Sequence, residues 1–287
     1  MTRPSPQTDR VVALVELLAS QPDQALTLAE LTRRLEVNKS TCHSMLTSLT
    51  HAGWLFRDPY RKTYRLGPAL VAVGSAASSG FPALEVARSA RVDLSLELAA
   101  NCAVLAVAGD QVSVLDQVRD LRAAGPGLRV GSVIPLRPPF GTAAIAWAEP
   151  SAVDRWLAYL PDEPSRARHR DVLDATRRRG YAVEMSTTPE ASLRDAISRI
   201  GDNVEALPDL LTRLAAELAE RADFLAPDLD ATHEYIVSTI NAPVLDRRGH
   251  AVLLLSLNGF TSRMTGADIE KVGRRLSAAT ADISRAV

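Results

Sequence analysis

Apolar residues recur three and four apart through Val11, Leu14, Val15 and Leu18, a spacing that places them on one helical face. With Asp9 as a good N-cap residue, the pattern predicts a first helix over about residues 9–20, ended by Gln21-Pro22-Asp23. Thr27-Leu28-Ala29-Glu30 is a capping box, in which hydroxyl and carboxylate reciprocally satisfy the free N–H groups of a helix start. It opens a short second helix bearing Leu28, Leu31 and Leu35. After Glu36-Val37-Asn38 a third helix follows, with Cys42, Leu46 and Leu49 as its apolar stripe and His51-Ala52-Gly53 as its close. Two short helices joined by a tight turn form a helix-turn-helix pattern. Residues 54–57 and 63–66 then read as two strands around the turn 58–62, a hairpin placed as a wing.

Residues 66–84 carry no charge and are interrupted by Gly74, Ser75, Ser78, Ser79, Gly80 and Pro82, which marks a linker without the apolar density of a membrane span. Beyond it the pattern becomes mixed. A helix is predicted near 84–98, and strands at 103–108 and 112–118 flank the hairpin signal Gly109-Asp110. An apparent strand within 130–136 follows the break at Gly125, Pro126 and Gly127; residues 141–147 and 153–160 look helical, the second behind Ser151 as cap. A charged helix ending at Gly180 leads into a strand at 181–185. Residues 186–230 read as a separate helical block, with a start at Thr188-Pro189-Glu190 and a stripe through Leu207, Leu210, Leu211, Leu214, Leu218 and Leu225 that faces the domain or a second subunit. Strands at 235–245 and 252–257 flank the turn 246–249, and Thr265-Gly266-Ala267-Asp268 caps a terminal amphipathic helix through Ile269, Val272, Leu276, Ala279 and Ile283. The class is α+β.

The 287 residues call for two domains, and 46% hydrophobic with 23% charged residues excludes a disordered, collagen-like or membrane-embedded chain. The net charge of -1 is unevenly spread: residues 1–68 hold 9 Lys+Arg against 6 Asp+Glu, and residues 69–287 hold 24 against 28. Basic charge therefore sits at the front, where nucleic-acid contact is expected. Cys42 and Cys102 suggest no disulfide framework, and residues 1–10 lack the apolar core of a signal peptide, so the expected compartment is the cytoplasm, with no membrane partner.

The third helix carries the sharpest chemical signal. Opposite its apolar stripe it offers Lys39, Ser40, Thr41, His43, Ser44, Thr47 and Ser48, mostly short hydrogen-bonding side chains that let a helix approach a major groove. Arg57, Arg61, Lys62 and Arg65 on the wing suit phosphate neutralisation beside it. A solvated helix face, or a winged helix used for protein contact, is the alternative reading. Enzymatic constellations are poor. His43, His51, His169, His233 and His250 form no two-His helix motif, the two cysteines are far apart, and the glycines from Gly125 to Gly131 lack dinucleotide-loop spacing. No Gly-x-Ser-x-Gly elbow or Walker loop occurs. No catalytic residue, metal or cofactor is assigned.

In these residues the chain resembles the IclR family of bacterial transcriptional regulators. The resemblance lies in Leu26-Thr27-Leu28-Ala29-Glu30-Leu31, Lys39-Ser40-Thr41-Cys42-His43 and Tyr64-Arg65-Leu66-Gly67 at the front. It resumes at Arg179-Gly180-Tyr181-Ala182-Val183, Ala242-Pro243-Val244-Leu245-Asp246 and Ser262-Arg263-Met264-Thr265, in the family's order over most of the chain. It implies a winged helix-turn-helix at 1–67, a linker helix at 68–82, and a GAF-like effector-binding domain at 83–287 with an antiparallel sheet, into which this chain's own pattern inserts the helical block 186–230. It also implies double-stranded DNA as partner, palindromic operators, and homodimers often paired into homotetramers. Three departures stand out: Ser44 where the family usually has Arg, a segment at 135–143 one residue shorter and without the family's hydroxyl and Lys, and the block 186–230 where relatives have a short connection.

The expected function is thus a regulator that reads DNA through α-helical residues 39–47 and the wing and responds to a small-molecule effector. For the effector the expected walls are Arg137, Pro139, Phe140, Gly141 and Thr142 with strand positions Ser238, Ile240, Asn241, Ser256 and Asn258, Arg137 being the partner for an anionic ligand. The rival readings are an enzyme, or a protein-interaction scaffold, built on the second domain with the winged helix as targeting module.

Overall fold

The computed structural model describes residues 5–125, 127–128, 130–185, 225 and 228–286. It divides into two compact units, one ending at Phe81 and the other beginning at Pro82.

In the first unit, α1 (Pro6–Ser20) starts earlier than the sequence pattern predicts, because Pro6 suits a first helical turn and Asp9 lies within that turn instead of capping it. β1 (Leu26–Thr27) leads into α2 (Leu28–Arg34), where the capping box forms: Thr27 N–H donates to Glu30 Oε2 at 2.7 Å and Glu30 N–H to Thr27 Oγ1 at 3.3 Å. α3 (Lys39–His51) turns Cys42, Met45 and Leu46 inward, against Leu14, Leu18, Leu31, Leu55 and Tyr64. Leu49 is only partly buried at the edge of this core, and Met45 takes the central place expected for it. β2 (Leu55–Arg57) and β3 (Thr63–Leu66) are the wing strands. Two-residue β1, too short to register as a pattern, pairs Leu26 with Tyr64 and makes the wing three-stranded in the order β1-β3-β2. α4 (Ala69–Ser79) buries no side chain.

The second unit is a six-stranded antiparallel sheet covered on both faces. α5 (Pro82–Leu98), β4 (Asn101–Ala108), β5 (Gln111–Val118), β6 (Val133–Pro135), α6 (Thr142–Ile145), α7 (Pro150–Leu157), α8 (Glu163–Arg179) and β7 (Ala182–Met185) follow in order. After them come β8 (Glu234–Tyr235), β9 (Val237–Leu245), β10 (Ala251–Asn258), β11 (Met264–Thr265) and α9 (Gly266–Arg285). The strand order is β6-β5-β4-β10-β9-β7, with β8 and β11 in a separate ribbon. The strand expected at 235–245 is therefore split, Tyr235 pairing with Met264 and leaving the large sheet to begin at Val237. α7 begins at Pro150 behind Glu149, with Ser151 inside the helix instead of capping it, and α6 spans only four residues. Of the block 186–230, residues 186–224, 226 and 227 lie outside the described residues; Leu225 bridges to Glu184, and 228–230 are not helical.

α9 runs along β9 and α5 along β4, both on one face. Cys102, Val104, Ile240, Ala242, Leu253, Leu255 and Leu257 are fully or almost fully buried there beside Ile269, Leu276 and Leu94. Gly273 admits the Tyr181 ring, which lies 2.3 Å from where a Cβ would stand. Arg88 and Arg91 clamp α5 to the sheet, each 3.0 Å from Asp116 Oδ2. On the opposite face Leu105, Val112, Val114 and Leu254 pack under Ala143–Ala146, Trp156, Leu157, Val172 and Leu173 of the α6–α8 layer.

Candidate functional sites

Asn38 fixes the start of α3 by accepting the Thr41 N–H at 2.8 Å. Burial of Cys42, Met45 and Leu46 then leaves Lys39, Ser40, His43, Ser44 and Thr47 exposed on the other face, with Thr41 half-buried. The Thr47 hydroxyl donates to the His43 carbonyl at 2.8 Å, so it keeps acceptor lone pairs but no free proton for a base edge. The wing turn is braced from within. Asp58 Oδ1 accepts the N–H groups of Tyr60 (2.8 Å) and Arg61 (2.9 Å), and these bonds hold its carboxyl below the usual range. Arg57, Arg61, Lys62 and Arg65 are all exposed. The Arg65 guanidinium lies 4.7 Å over Phe56 and that of Arg57 5.9 Å over Tyr64, which limits their wandering before any phosphate arrives. Sequence reasoning passed over Tyr60, which is 93% exposed at the wing tip.

On the large sheet the strand registers sort one face into rows. Val114, Leu105, Leu254 and Pro243 stand side by side across β5, β4, β10 and β9, an apolar row. The next row is Gln117, Ala103, Ser256, Asn241 and Ala182, and the one after it is Asn101, Asn258, Thr239 and Glu184, polar in every member. The face thus passes from apolar to polar along the strands, and α6–α8 cover the apolar part. Hydrogen bonds link the polar row in pairs: Asn101 Nδ2 donates to Asn258 Oδ1 at 3.3 Å, and Thr239 Oγ1 to Glu184 Oε2 at 2.9 Å. Asn241 Nδ2 donates to Thr239 Oγ1 at 2.8 Å. Gly259, at φ +84, brings its turn to within 2.8 Å of Asn101 Nδ2 as measured from an ideal Cβ, so only glycine fits the turn that closes this end. Burial pushes the Glu184 carboxyl up to about 7, against the opposing effect of the Thr239 hydrogen bond.

Asn241, Ser256 and Asn258, expected in the site, stand in these rows. Ser238 is half-buried at the bulge between Thr239 and Val237. Ile240 is a correction: alternation along β9 turns it to the opposite face, beside Val183 and Leu257. Phe140 is packed into the apolar core, its carbonyl accepting Trp156 Nε1–H at 3.0 Å, and the Thr142 hydroxyl is spent on the Pro139 carbonyl at 2.9 Å. Pro139 is buried, Gly141 begins α6 in a left-handed conformation, and the Arg137 guanidinium lies 4.7 Å over the exposed Tyr159 ring. Asn101, Gln117, Thr239 and Glu184 went unnoticed in the sequence. A carboxylate at position 184, within the otherwise uncharged strand 181–185, was the one available signal.

A surface cleft of about 430 Å³ lies elsewhere in this unit, lined by Arg178, Arg179, Tyr181, Asp228, Glu270 and Arg274. Among the described residues no group of three or more His, Cys, Asp or Glu is placed to hold a metal, and no single helix is long and apolar enough to cross a membrane.

The family model for the IclR helix-turn-helix domain matches residues 7–59, the stretch from α1 into the wing. The HTH-type transcriptional regulator XynR of Escherichia coli (strain K12) is 24% identical over 184 residues, covering 61% of this chain and 73% of that protein. The chain thus carries an IclR-type helix-turn-helix domain and is similar to IclR-family transcriptional regulators. Its fold is shared beyond the matched domain. The crystal structure of an IclR transcriptional regulator from Alicyclobacillus acidocaldarius superposes with a TM-score of 0.68 at 21% identity, covering 99% of both chains. That of an IclR homologue from Microbacterium hydrocarbonoxydans, complexed with 4-hydroxybenzoate, does so with a TM-score of 0.65 at 16% identity over 98% of this chain and 100% of that one.

Proposed function

We propose that this protein is an IclR-family regulator that binds a palindromic operator as a homodimer, and that a small polar effector on the second unit's sheet adjusts that binding. The observation that carries the DNA reading is the single exposed face of α3, made of Lys39, Ser40, His43, Ser44 and Thr47, together with a cationic wing whose turn Asp58 braces. Side chains of this length reach base edges from a helix lying in the major groove, and the wing guanidinia neutralise phosphates. Self-association is supported by α4, an uncharged helix with no buried side chain and with Val71 75% exposed, which a second copy would cover. The IclR homologue complexed with 4-hydroxybenzoate supports a small-molecule role for the shared second-unit fold. In this chain the groups that would meet such a molecule are those of the two polar rows, Gln117, Asn241, Ser256, Asn258, Thr239 and Glu184.

The deciding experiment is retardation of the DNA upstream of the protein's own coding sequence at two salt concentrations, with random duplex as competitor. Selective, salt-sensitive retardation is expected; no binding to any duplex at low salt overturns the reading.

A further inference from the structure

The surface cleft of the second unit belongs neither to the α3 face nor to the polar rows. Its floor is Tyr181, the residue before β7, whose ring packs on Gly273 of α9 and is 2% exposed. Alternation along the strand puts Ala182 and Glu184 with the polar rows, so the Tyr181 ring stands on the α9 side of the sheet. Three guanidinia line the cleft from two elements: Arg178 and Arg179 at the C-terminal end of α8, and Arg274 on α9, with Asp228 and Glu270 beside them. Arg274 Nη2 pairs with Glu270 Oε1. Arg179 Nε donates to the Tyr181 carbonyl at 2.7 Å, its guanidinium 5.3 Å from the ring centroid. A guanidinium carries several N–H donors in a rigid fork, so the bond to Glu270 orients Arg274 without exhausting it. Arg178 is exposed on the last turn of α8. Burial raises the Tyr181 phenol above its usual range, with Arg179, Glu270 and Arg274 close enough to act on it. The hydroxyl therefore meets the charged walls of the cleft as a protonated donor.

We infer that this cleft binds a phosphoryl group, that of a small phosphate monoester or of inorganic phosphate, held by Arg178, Arg274 and the Tyr181 hydroxyl. The site is separate from the effector reading above. Its donors come from the end of one helix, the flank of another and the floor between them. Donors arranged in this way surround a tetrahedral oxyanion, whose acceptor oxygens point to several sides, and they fit a planar carboxylate less well. Guanidinium forks match phosphate in geometry as well as charge. The volume of about 430 Å³ leaves room for an organic body beyond the phosphoryl oxygens.

The protein has five tyrosines, so carbon-13 labelling of the tyrosine rings gives few resonances, and the one missing from Tyr181→Phe is that of Tyr181. The full-length protein is titrated at fixed pH and ionic strength with inorganic phosphate, glycerol 3-phosphate and acetate, following this resonance and the heat of binding. Both phosphates are expected to saturate the Tyr181 resonance, with affinity about fivefold or more above that of acetate. Glycerol 3-phosphate ahead of inorganic phosphate identifies a monoester, and equality identifies inorganic phosphate. Arg178→Ala and Arg274→Ala should each weaken the calorimetric affinity about fivefold or more, and Tyr181→Phe, which keeps the ring packing, about twofold or more. No saturable shift with either phosphate, acetate binding as tightly, or unchanged affinity in both folded arginine variants overturns the inference. Phosphate that binds only at the wing leaves the Tyr181 resonance in place and loses its heat in Arg61→Ala, which overturns it too. The wild-type preference for phosphate over acetate is decided without the arginine variants.

Discussion

A carboxyl group that folding removes from water, with a hydroxyl and an amide for company, keeps its proton to a higher pH than the same group in the unfolded chain. Glu184 titrates at about 7 in the fold against an ordinary 4.5, burial being the main cause. Between these values the folded state holds more protons than the unfolded state, so this group makes stability fall as pH rises, with the full penalty present above about 7. Its size is on the order of 3 kcal/mol from the energy of a pKa difference. Glu184→Gln should therefore raise the ligand-free urea midpoint of the second unit at pH 8 and change it much less at pH 5; parallel pH profiles for the two proteins would contradict the assignment. At the wing, Arg61 is exposed. Arg61→Ala should weaken DNA binding for all sequences alike and reduce the slope of log K against log salt by about 1, with stability within about 0.5 kcal/mol of wild type. A substitution of His43 that altered affinity for every duplex equally would remove it from base readout.

Elements were legible wherever a local rule made them. Thr27 and Glu30 form in space the capping box their spacing announces, and Thr27→Ala should cost the first unit about 1 kcal/mol in urea unfolding, since the Glu30 N–H loses its hydroxyl acceptor while the backbone N–H of residue 27 keeps its bond to the Glu30 carboxylate. α9 begins at its own capping box, Thr265 with Asp268. Where two local rules competed, the pattern misled: Ser151 and Asp9 are both good caps, but Pro150 and Pro6 already occupied earlier turns. The packing of α9 on the sheet was not legible, because it hangs on a glycine in mid-helix. Gly273→Ala would put a Cβ 2.3 Å from the Tyr181 ring and should destabilise the second unit by about 1–3 kcal/mol despite the better helix propensity of alanine. α4 carries the prediction for self-association: Val71→Arg should leave the fold unchanged and convert the proposed dimer to monomer in sedimentation equilibrium.

For the molecule as a whole, the charge distribution predicts how DNA binding responds to salt. Four exposed wing cations, Arg57, Arg61, Lys62 and Arg65, would give a slope of about -3.6 from one wing and about -7 from a dimer that engages both, before any contribution from Lys39. A measured slope shallower than about -3 on a verified operator would show that the wing does not carry the phosphates.

The helix-turn-helix, its hydrophobic stripe, its polar face and the basic wing were determined by sequence alone, because each depends on residues within a few turns of one another and on periodicities of 3.6 and 2. The polar rows proposed for the effector were not. Asn101, Thr239 and Glu184 lie far apart along the chain and become one row only when β4, β10, β9 and β7 take their register. That same register turned Ile240 away from the row its neighbours Thr239 and Asn241 belong to, and packing drew Phe140 and Thr142 into the core that α6 needs. Strand alternation says that neighbouring residues face opposite ways; which face meets the helices and which meets a ligand is decided by what folds over the sheet, and that is a property of the tertiary structure.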